Sequence, residues 1–248
     1  MASILDKTAH RPWPLPQGPW IMAQSWHDLL FAHWPIEAAI LRPHIPTQLS
    51  IDIFEGKAWL GIVPFRMSGV RLRGTPVLPW LSAFPELNVR TYVTAQGKPG
   101  VWFFSLDAAN AVAVLAARWA FHLPYFYSRM SCLENNGLIQ YQSRRTQPAT
   151  PEAVLQARYR AIGEFFEPKS RTLEHFLTER YCLYSAASGG RVYRGEIHHR
   201  PWTLQLAEAQ FLCNSMAHAA GLPAPSNSPI LHFAKRQDTV AWAPQRIA

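Results

Sequence analysis

Glu86, Asn88, Arg90 and Tyr92 stand at alternate positions of the run 86–94, and Leu87, Val89, Thr91 and Val93 fill the places between them. Side chains on a strand alternate faces, so the first four share one face and the second four the other. A carboxyl, an amide, a guanidinium and a phenol converging inside an apolar enclosure can orient a small organic molecule and exchange protons with it. On a solvated strand the same alternation is ordinary amphipathy. Glu86 and Arg90 lie roughly 13 Å apart along such a strand, so each is expected to find its partner on another strand, and a buried Glu86 would carry a perturbed pKa. Tyr125, after Leu123-Pro124, could donate a hydrogen bond or act as a general acid, with His122 beside it. The plainer readings are a packed tyrosine and a histidine favoured at a helix end by the dipole.

The elements around these residues read as successive hairpins. Residues 86–94 and the run 101–106, apolar except for Ser105, flank Gln96-Gly97-Lys98-Pro99-Gly100, a turn that predicts antiparallel pairing. An apolar run without a polar face is expected to be covered on both sides, one cover being a buried helix over 108–121 with Asp107 as its N-cap and Leu123-Pro124 as its stop. Strands are predicted over 22–31, 49–54, 58–67, 125–133, 138–144, 154–161, 181–187, 191–199 and 230–242. Glu55-Gly56-Lys57, Asn135-Asn136-Gly137 and Ser188-Gly189-Gly190 are expected to turn hairpins, and 71–79 to form a loop. Helices are predicted over 36–42 with Pro35 at the first position, over 172–177 with Thr172 as N-cap, and within 204–220 before Gly221. The expected class is α+β, mainly antiparallel β, a barrel or strongly curved sheet with a few short helices against it. One domain over 1–248 is expected, with 1–20 a Pro-rich lead-in.

Composition narrows the chemistry. The formal charge of +8 would suit phosphates, but the arginines are scattered without a basic helix or aromatic nucleic-acid motif, so no nucleic-acid partner is expected, while an anionic small ligand suits the field. No apolar run reaches the ~20 residues of a membrane span, and no secretory leader is read at the N-terminus, so the expected location is the cytoplasm. The 3 cysteines, Cys132, Cys182 and Cys213, are too widely spaced for a disulfide framework or a Cys-x-x-Cys site. His198 and His199 point to opposite faces of a strand and Glu174-His175 lacks zinc-helix spacing, so neither a metal nor a cofactor is expected. Homo-oligomerisation is left open.

Six stretches carry a resemblance: 24–34, Leu41-Arg42-Pro43-His44-Ile45-Pro46, 58–65, 84–93, Leu123-Pro124-Tyr125 and His198-His199-Arg200-Pro201-Trp202. Together they resemble the YqjF-like family of uncharacterised proteins, a branch of the acetoacetate decarboxylase superfamily. The resemblance implies a cone-shaped β-barrel with a central pocket. It also implies a contrast. Decarboxylases of that superfamily follow a comparable helix with an aromatic-Pro-Lys-Lys stretch whose first lysine forms an imine with the keto acid, and here Leu123-Pro124-Tyr125-Phe126 takes that place. A phenol forms no Schiff base, although Glu86 is similar to the pocket glutamate of the decarboxylases. Of the lysines Lys7, Lys57, Lys98, Lys169 and Lys235, only Lys235 falls in a predicted strand, and it reads as an exposed edge residue.

The expected function is therefore binding of a small organic ligand, a carboxylate or carbonyl compound, with Glu86 and Tyr125 as catalytic candidates and Asn88, Arg90, Tyr92 and His122 as ligand contacts. Two alternatives stand beside it. One is a lyase, hydratase or isomerase that uses acid-base chemistry at Glu86 and Tyr125. The other is a non-catalytic binding or scaffold protein.

Overall fold

Gln96 and Gly97, both at positive φ (51° and 71°), make a two-residue turn that joins two long strands paired from Ala95 opposite Lys98 to Glu86 opposite Ala108, with one register shift between Val89 and Arg90. A turn with both central residues left-handed matches the twist of the strands it connects. The predicted five-residue joint is thus shorter, and Lys98, Pro99 and Gly100 already belong to the second strand. This hairpin is the centre of the computed structural model, which describes residues 2–78 and 80–248.

In chain order the elements are α1 (Ala2–Leu5), β1 (Met22–Ile36), α2 (Ala38–Leu41) with a 3-10 turn Arg42–His44, β2 (Ser50–Ile51), β3 (Ala58–Leu72), β4 (Phe84–Ala95), β5 (Lys98–Ala108) and α3 (Ala111–Phe121). There follow β6 (Tyr125–Asn135), β7 (Leu138–Arg145), β8 (Val154–Phe166), α4 (Leu173–Thr178), β9 (Cys182–Ala186), β10 (Val192–His199), β11 (Leu204–Asn214), α5 (Met216–Ala219), β12 (Ile230–Ala241) and β13 (Gln245–Arg246). The strands form a single sheet in the order β13-β10-β9-β5-β6-β7-β8-β11-β12-β1-β3-β4-β2, with β5 also pairing β4 and β10 also pairing β12. Those two extra pairings close hydrogen-bonded circuits. One runs β5-β6-β7-β8-β11-β12-β1-β3-β4, the other β5-β9-β10-β12-β1-β3-β4. Closure removes the unpaired edges that long strands otherwise present. The fold is the expected mainly antiparallel one, except that β5 pairs β6 and β9 in parallel. The helical crossover through α3 permits the first of these.

β4, common to both circuits, is buried on two faces. Leu87, Val89 and Val93 pack with Leu30, Leu60, Tyr141 and Tyr159 in the largest apolar cluster. On the opposite face of β4, Tyr92 packs with Trp59, Val101 and Leu177, while Phe31, Phe65, Phe84 and Val114 gather in a further cluster. The alternation read from the sequence is therefore real, and neither face of β4 is a solvated one.

Several elements differ from expectation. Pro35 and Ile36 belong to β1, opposite Trp59 and Ala58, so the helix predicted over 36–42 starts only at Ala38. The strand predicted over 49–54 shrinks to β2, which pairs β4 rather than forming a hairpin with β3; Glu55-Gly56 turns only the isolated Phe54 and Lys57 bridge. In the predicted loop 71–79, β3 runs on to Leu72, and Pro79 lies outside the described residues. Asp107 does not cap α3. It belongs to β5, where Arg145 holds its carboxylate through two hydrogen bonds of 2.8 and 2.7 Å, and Asn110 caps the helix instead. Nor is α3 a buried helix: Val114 packs inward, whereas Val112, Leu115 and Trp119 are exposed, Trp119 to 84%. Left-handed His122 ends it. The run 204–220 is mostly strand, because its side chains alternate in burial and its backbone pairs β8; the helix there is only α5, followed by Gly221 at φ 77°.

Candidate functional site

Glu86 and Tyr125 meet. The β4–β5 hairpin carries Glu86, and β6 enters the sheet beside β5 with Leu106 opposite Tyr125. Pro124 leaves the helix crossover and its carbonyl takes the Leu106 N–H at 3.0 Å, which pins the start of β6. The Tyr125 hydroxyl then donates to Glu86 Oε2 at 2.9 Å. Glu86 is 3% exposed. Burial without a cation raises its pKa from 4.5 to about 8; the Asp107 charge adds to the rise and the Tyr125 hydrogen bond opposes it. Burial, and then the neighbouring carboxyl, holds the Tyr125 phenol well above its usual value. At neutral pH the pair is a carboxylic acid beside a phenol, able to hold or hand over a proton.

The other residues of that β4 face gather further along. Tyr92 donates to the Leu177 carbonyl at 2.8 Å, its oxygen faces His33 Nε2 at 2.6 Å, and an Arg90 N–H reaches the same oxygen at 3.3 Å. Arg90 also reaches the Leu177 carbonyl at 3.4 Å. Among the described residues no carboxylate lies within ion-pair distance of Arg90; its guanidinium sits over the Phe31 and Tyr92 rings at 5.3 and 5.7 Å. Asn88, between the two groups, buries an Oδ1 that has no partner. His122 stands apart from both. Its ring meets that of Tyr193 at a tilt, 4.8 Å between centroids, and it lines an open cleft of about 570 Å³ with Trp102, Phe104, Arg118 and Tyr184. The structure thus brings together Glu86 with Tyr125 and Arg90 with Tyr92, spaced along one strand face.

Residues that the sequence did not single out complete the second group. His33 (β1) and Arg90 (β4) face one another across Gly61 of β3, where a Cβ would lie 3.1 Å from the His33 ring and 3.2 Å from Arg90 Cγ. Gly61 is what allows the approach. His33 is wholly buried, and burial, reinforced by Arg90 and His232, holds its pKa well below 6.5. A lone histidine inside the apolar run 29–36 was the available signal, though without pairing information it reads as core.

No lysine reaches the dyad. Lys57 bonds Glu37, Lys98 bonds Glu196, Lys235 bonds Asp28, and Lys7 and Lys169 are exposed. Among the described residues no group of three or more His, Cys, Asp or Glu side chains is placed to hold a metal ion, and no helix is long and apolar enough to cross a membrane. His198 is bonded to the Ile4 carbonyl, and His199 stacks on Tyr181 at 4.7 Å.

A family model described as "Uncharacterized conserved protein" (DUF2071) matches residues 23–238. The chain belongs to the DUF2071 family. Over 228 residues, 92% of this chain and 93% of its relative, it is 47% identical to the uncharacterized protein YqjF of Bacillus subtilis (strain 168). Among solved structures it is similar to the enduracididine biosynthesis enzyme MppR complexed with pyruvate (TM-score 0.65, 11% identity, 97% of this chain and 95% of that one). It is also similar to acetoacetate decarboxylase from Legionella pneumophila subsp. pneumophila str. Philadelphia 1 (TM-score 0.59, 11% identity, 99% and 95%). At such identities the likeness is one of fold. The resemblance to the acetoacetate decarboxylase superfamily holds at that level.

Proposed function

We propose that this DUF2071 protein binds a small organic acid or carbonyl compound on the Glu86 to Tyr92 face of β4, with Glu86 and Tyr125 as its proton-holding pair and no imine in its chemistry. The observation that carries the reading is the Glu86 and Tyr125 hydrogen bond of 2.9 Å between two buried groups. A carboxyl buried without a cation is costly for stability and is the kind of group found where acid-base work is done. Arg90, with no carboxylate partner among the described residues, supplies the positive charge that an acid would seek. The fold is similar to that of the enduracididine biosynthesis enzyme MppR complexed with pyruvate, which supports a small oxo acid among the first compounds to try. If the site is catalytic, a lyase, hydratase or isomerase reaction fits a neutral acid and a phenol.

Thermal shift and calorimetric titration against a panel of keto acids, hydroxy acids and hydrophobic acids test the reading. Hits with the wild type that Glu86→Gln and Tyr125→Phe both weaken support it. Hits that both variants leave untouched place the ligand elsewhere and overturn it.

A further inference from the structure

One edge of β5 changes partner part-way along. β4 pairs β5 from Lys98 to Ala108, so β9 and β6 share the opposite edge, β9 at Val101 and Trp102 and β6 from Leu106 to Ala108. Phe103, Phe104 and Ser105 have neither strand beside them. The open cleft of about 570 Å³ lies at this fork, lined by β5, by β9 from Tyr184 to Ala186, and by Arg118 and His122 where α3 gives way to β6. An interior strand here leaves three successive aromatic side chains, Trp102, Phe103 and Phe104, partly exposed. Accessible rings in a concave space of this size are the lining of a small-molecule site.

The charge at the fork has one sign. No Asp or Glu lines the cleft, whereas Arg118 and the imidazoles of His44 and His122 do. Arg118 is exposed, and among the described residues it has no carboxylate partner and no hydrogen bond; its guanidinium lies only over the Phe126 ring, at 5.6 Å. His44 meets Phe104 edge-on at 6.3 Å and His122 meets Tyr193, and neither imidazole has a hydrogen-bond partner among the described residues. α3 ends at the cleft, where its terminal carbonyls would repel an anion. Ser185 quenches one of them by donating its hydroxyl to the Phe121 carbonyl at 2.7 Å. One permanent cation beside a helix C-terminus suits a single negative charge better than the near-double charge of a phosphate ester. We infer that this cleft is a second binding site for aromatic monocarboxylates, the ring lying against Trp102 and Phe104 and the carboxylate pairing with Arg118. Glu86 and Tyr125 do not line it, so the inference stands apart from the function proposed for them.

Calorimetric titration of the full chain at pH 7 with 2-naphthoate, 2-naphthamide, decahydro-2-naphthoate and 2-naphthyl phosphate tests it. 2-Naphthoate is expected to bind, and the other three, which lose the charge, lose the flat ring or add a charge, to bind at least about three-fold more weakly. Arg118→Gln is expected to weaken 2-naphthoate about ten-fold and to leave 2-naphthamide unchanged; the side chain is exposed and unpaired, so the variant keeps the fold. Glu86→Gln is expected to leave 2-naphthoate binding unchanged. The Trp102 indole ¹H–¹⁵N signal of the wild type, which needs no variant, is expected to move on addition of 2-naphthoate. No binding of 2-naphthoate at millimolar concentration, equal affinity for the amide or the saturated acid, tighter binding of the phosphate, indifference to Arg118→Gln, or an unmoved Trp102 signal would overturn the inference. Arg118-dependent binding of 2-naphthoate in a protein that binds no keto or hydroxy acid would sustain it while removing support from the Glu86 and Tyr125 reading. Keto-acid hits that need Glu86, with no binding of 2-naphthoate, would do the reverse.

Discussion

Tyr141, on β7, reaches across the large apolar cluster and donates its hydroxyl to the backbone carbonyl of Glu86 at 2.7 Å. It lies 3.3 Å from the carbonyl of Phe65, the β3 residue paired with Glu86. The strand that presents the acid on one face is thereby held from its other face. Tyr141→Phe keeps the ring and removes the bond. It is expected to lower unfolding stability by about 1 kcal/mol, read as a fall in urea midpoint at constant m-value.

Stability should depend on pH through Glu86. Its pKa is raised in the folded state, from 4.5 to about 8, so between those values the folded chain keeps a proton that the unfolded chain has lost. The contribution of Glu86 is therefore most favourable below pH 4.5, diminishes as pH rises towards 8, and levels off above it, with a slope of at most roughly 1.4 kcal/mol per pH unit. The buried histidines have depressed pKa values and act in the opposite direction at lower pH, so the difference between wild type and Glu86→Gln is the quantity to follow. Urea titrations at pH 5, 6, 7 and 8 should show the variant gaining on the wild type as pH rises; parallel curves would contradict the raised pKa.

The Asp107 and Arg145 pair is buried on both sides and also receives the Ser128 hydroxyl at 2.7 Å. Asp107→Asn strands the guanidinium without its charge partner. The expected cost is roughly 3–5 kcal/mol, measured as a large drop in thermal midpoint, with Ser128→Ala costing much less.

At Gly61 a methyl group would press on the His33 ring and Arg90 Cγ at 3.1 and 3.2 Å, and the ring cannot retreat without breaking its bond to Tyr92. Gly61→Ala is expected to destabilise by about 1–3 kcal/mol and to disturb the His33 ¹⁵N signals, whereas Gly56→Ala, which meets nothing within 4 Å but sits at φ 76°, should leave those signals alone.

Borohydride added in the presence of pyruvate or acetoacetate is expected to leave the intact mass of the protein unchanged, because no lysine contacts Glu86 or Tyr125 and the three with bonded partners are held by carboxylates. A trapped adduct on any lysine would contradict the imine-free reading.

Much of the centre of the fold was legible in the residues. The 86–94 alternation, the glycine-rich turn after it and the apolar 101–106 run are local signals, and the β4–β5 hairpin follows from them. Element ends were less legible where a distant partner decides them. Asp107 has the composition of a helix cap, but Arg145, 38 residues on, draws it into a strand. The 204–214 stretch is rich in residues that tolerate a helix, and its pairing with β8 makes it a strand. The apolar surface of α3 read as buried because a helix apolar nearly all round normally is; the sheet covers only the Val114 side.

The site divides in the same way. Alternation along one strand is a property of neighbouring residues, so the sequence alone determined that Glu86, Asn88, Arg90 and Tyr92 share a face. Which of them touch was decided by the tertiary structure. Strand closure sets β6 beside β5 and so brings Tyr125 to Glu86, while the order β1-β3-β4 sets His33 against Arg90 over a glycine. Such meetings depend on register between strands distant in sequence, and register is fixed by the packing of the whole sheet rather than by any local pattern of residues.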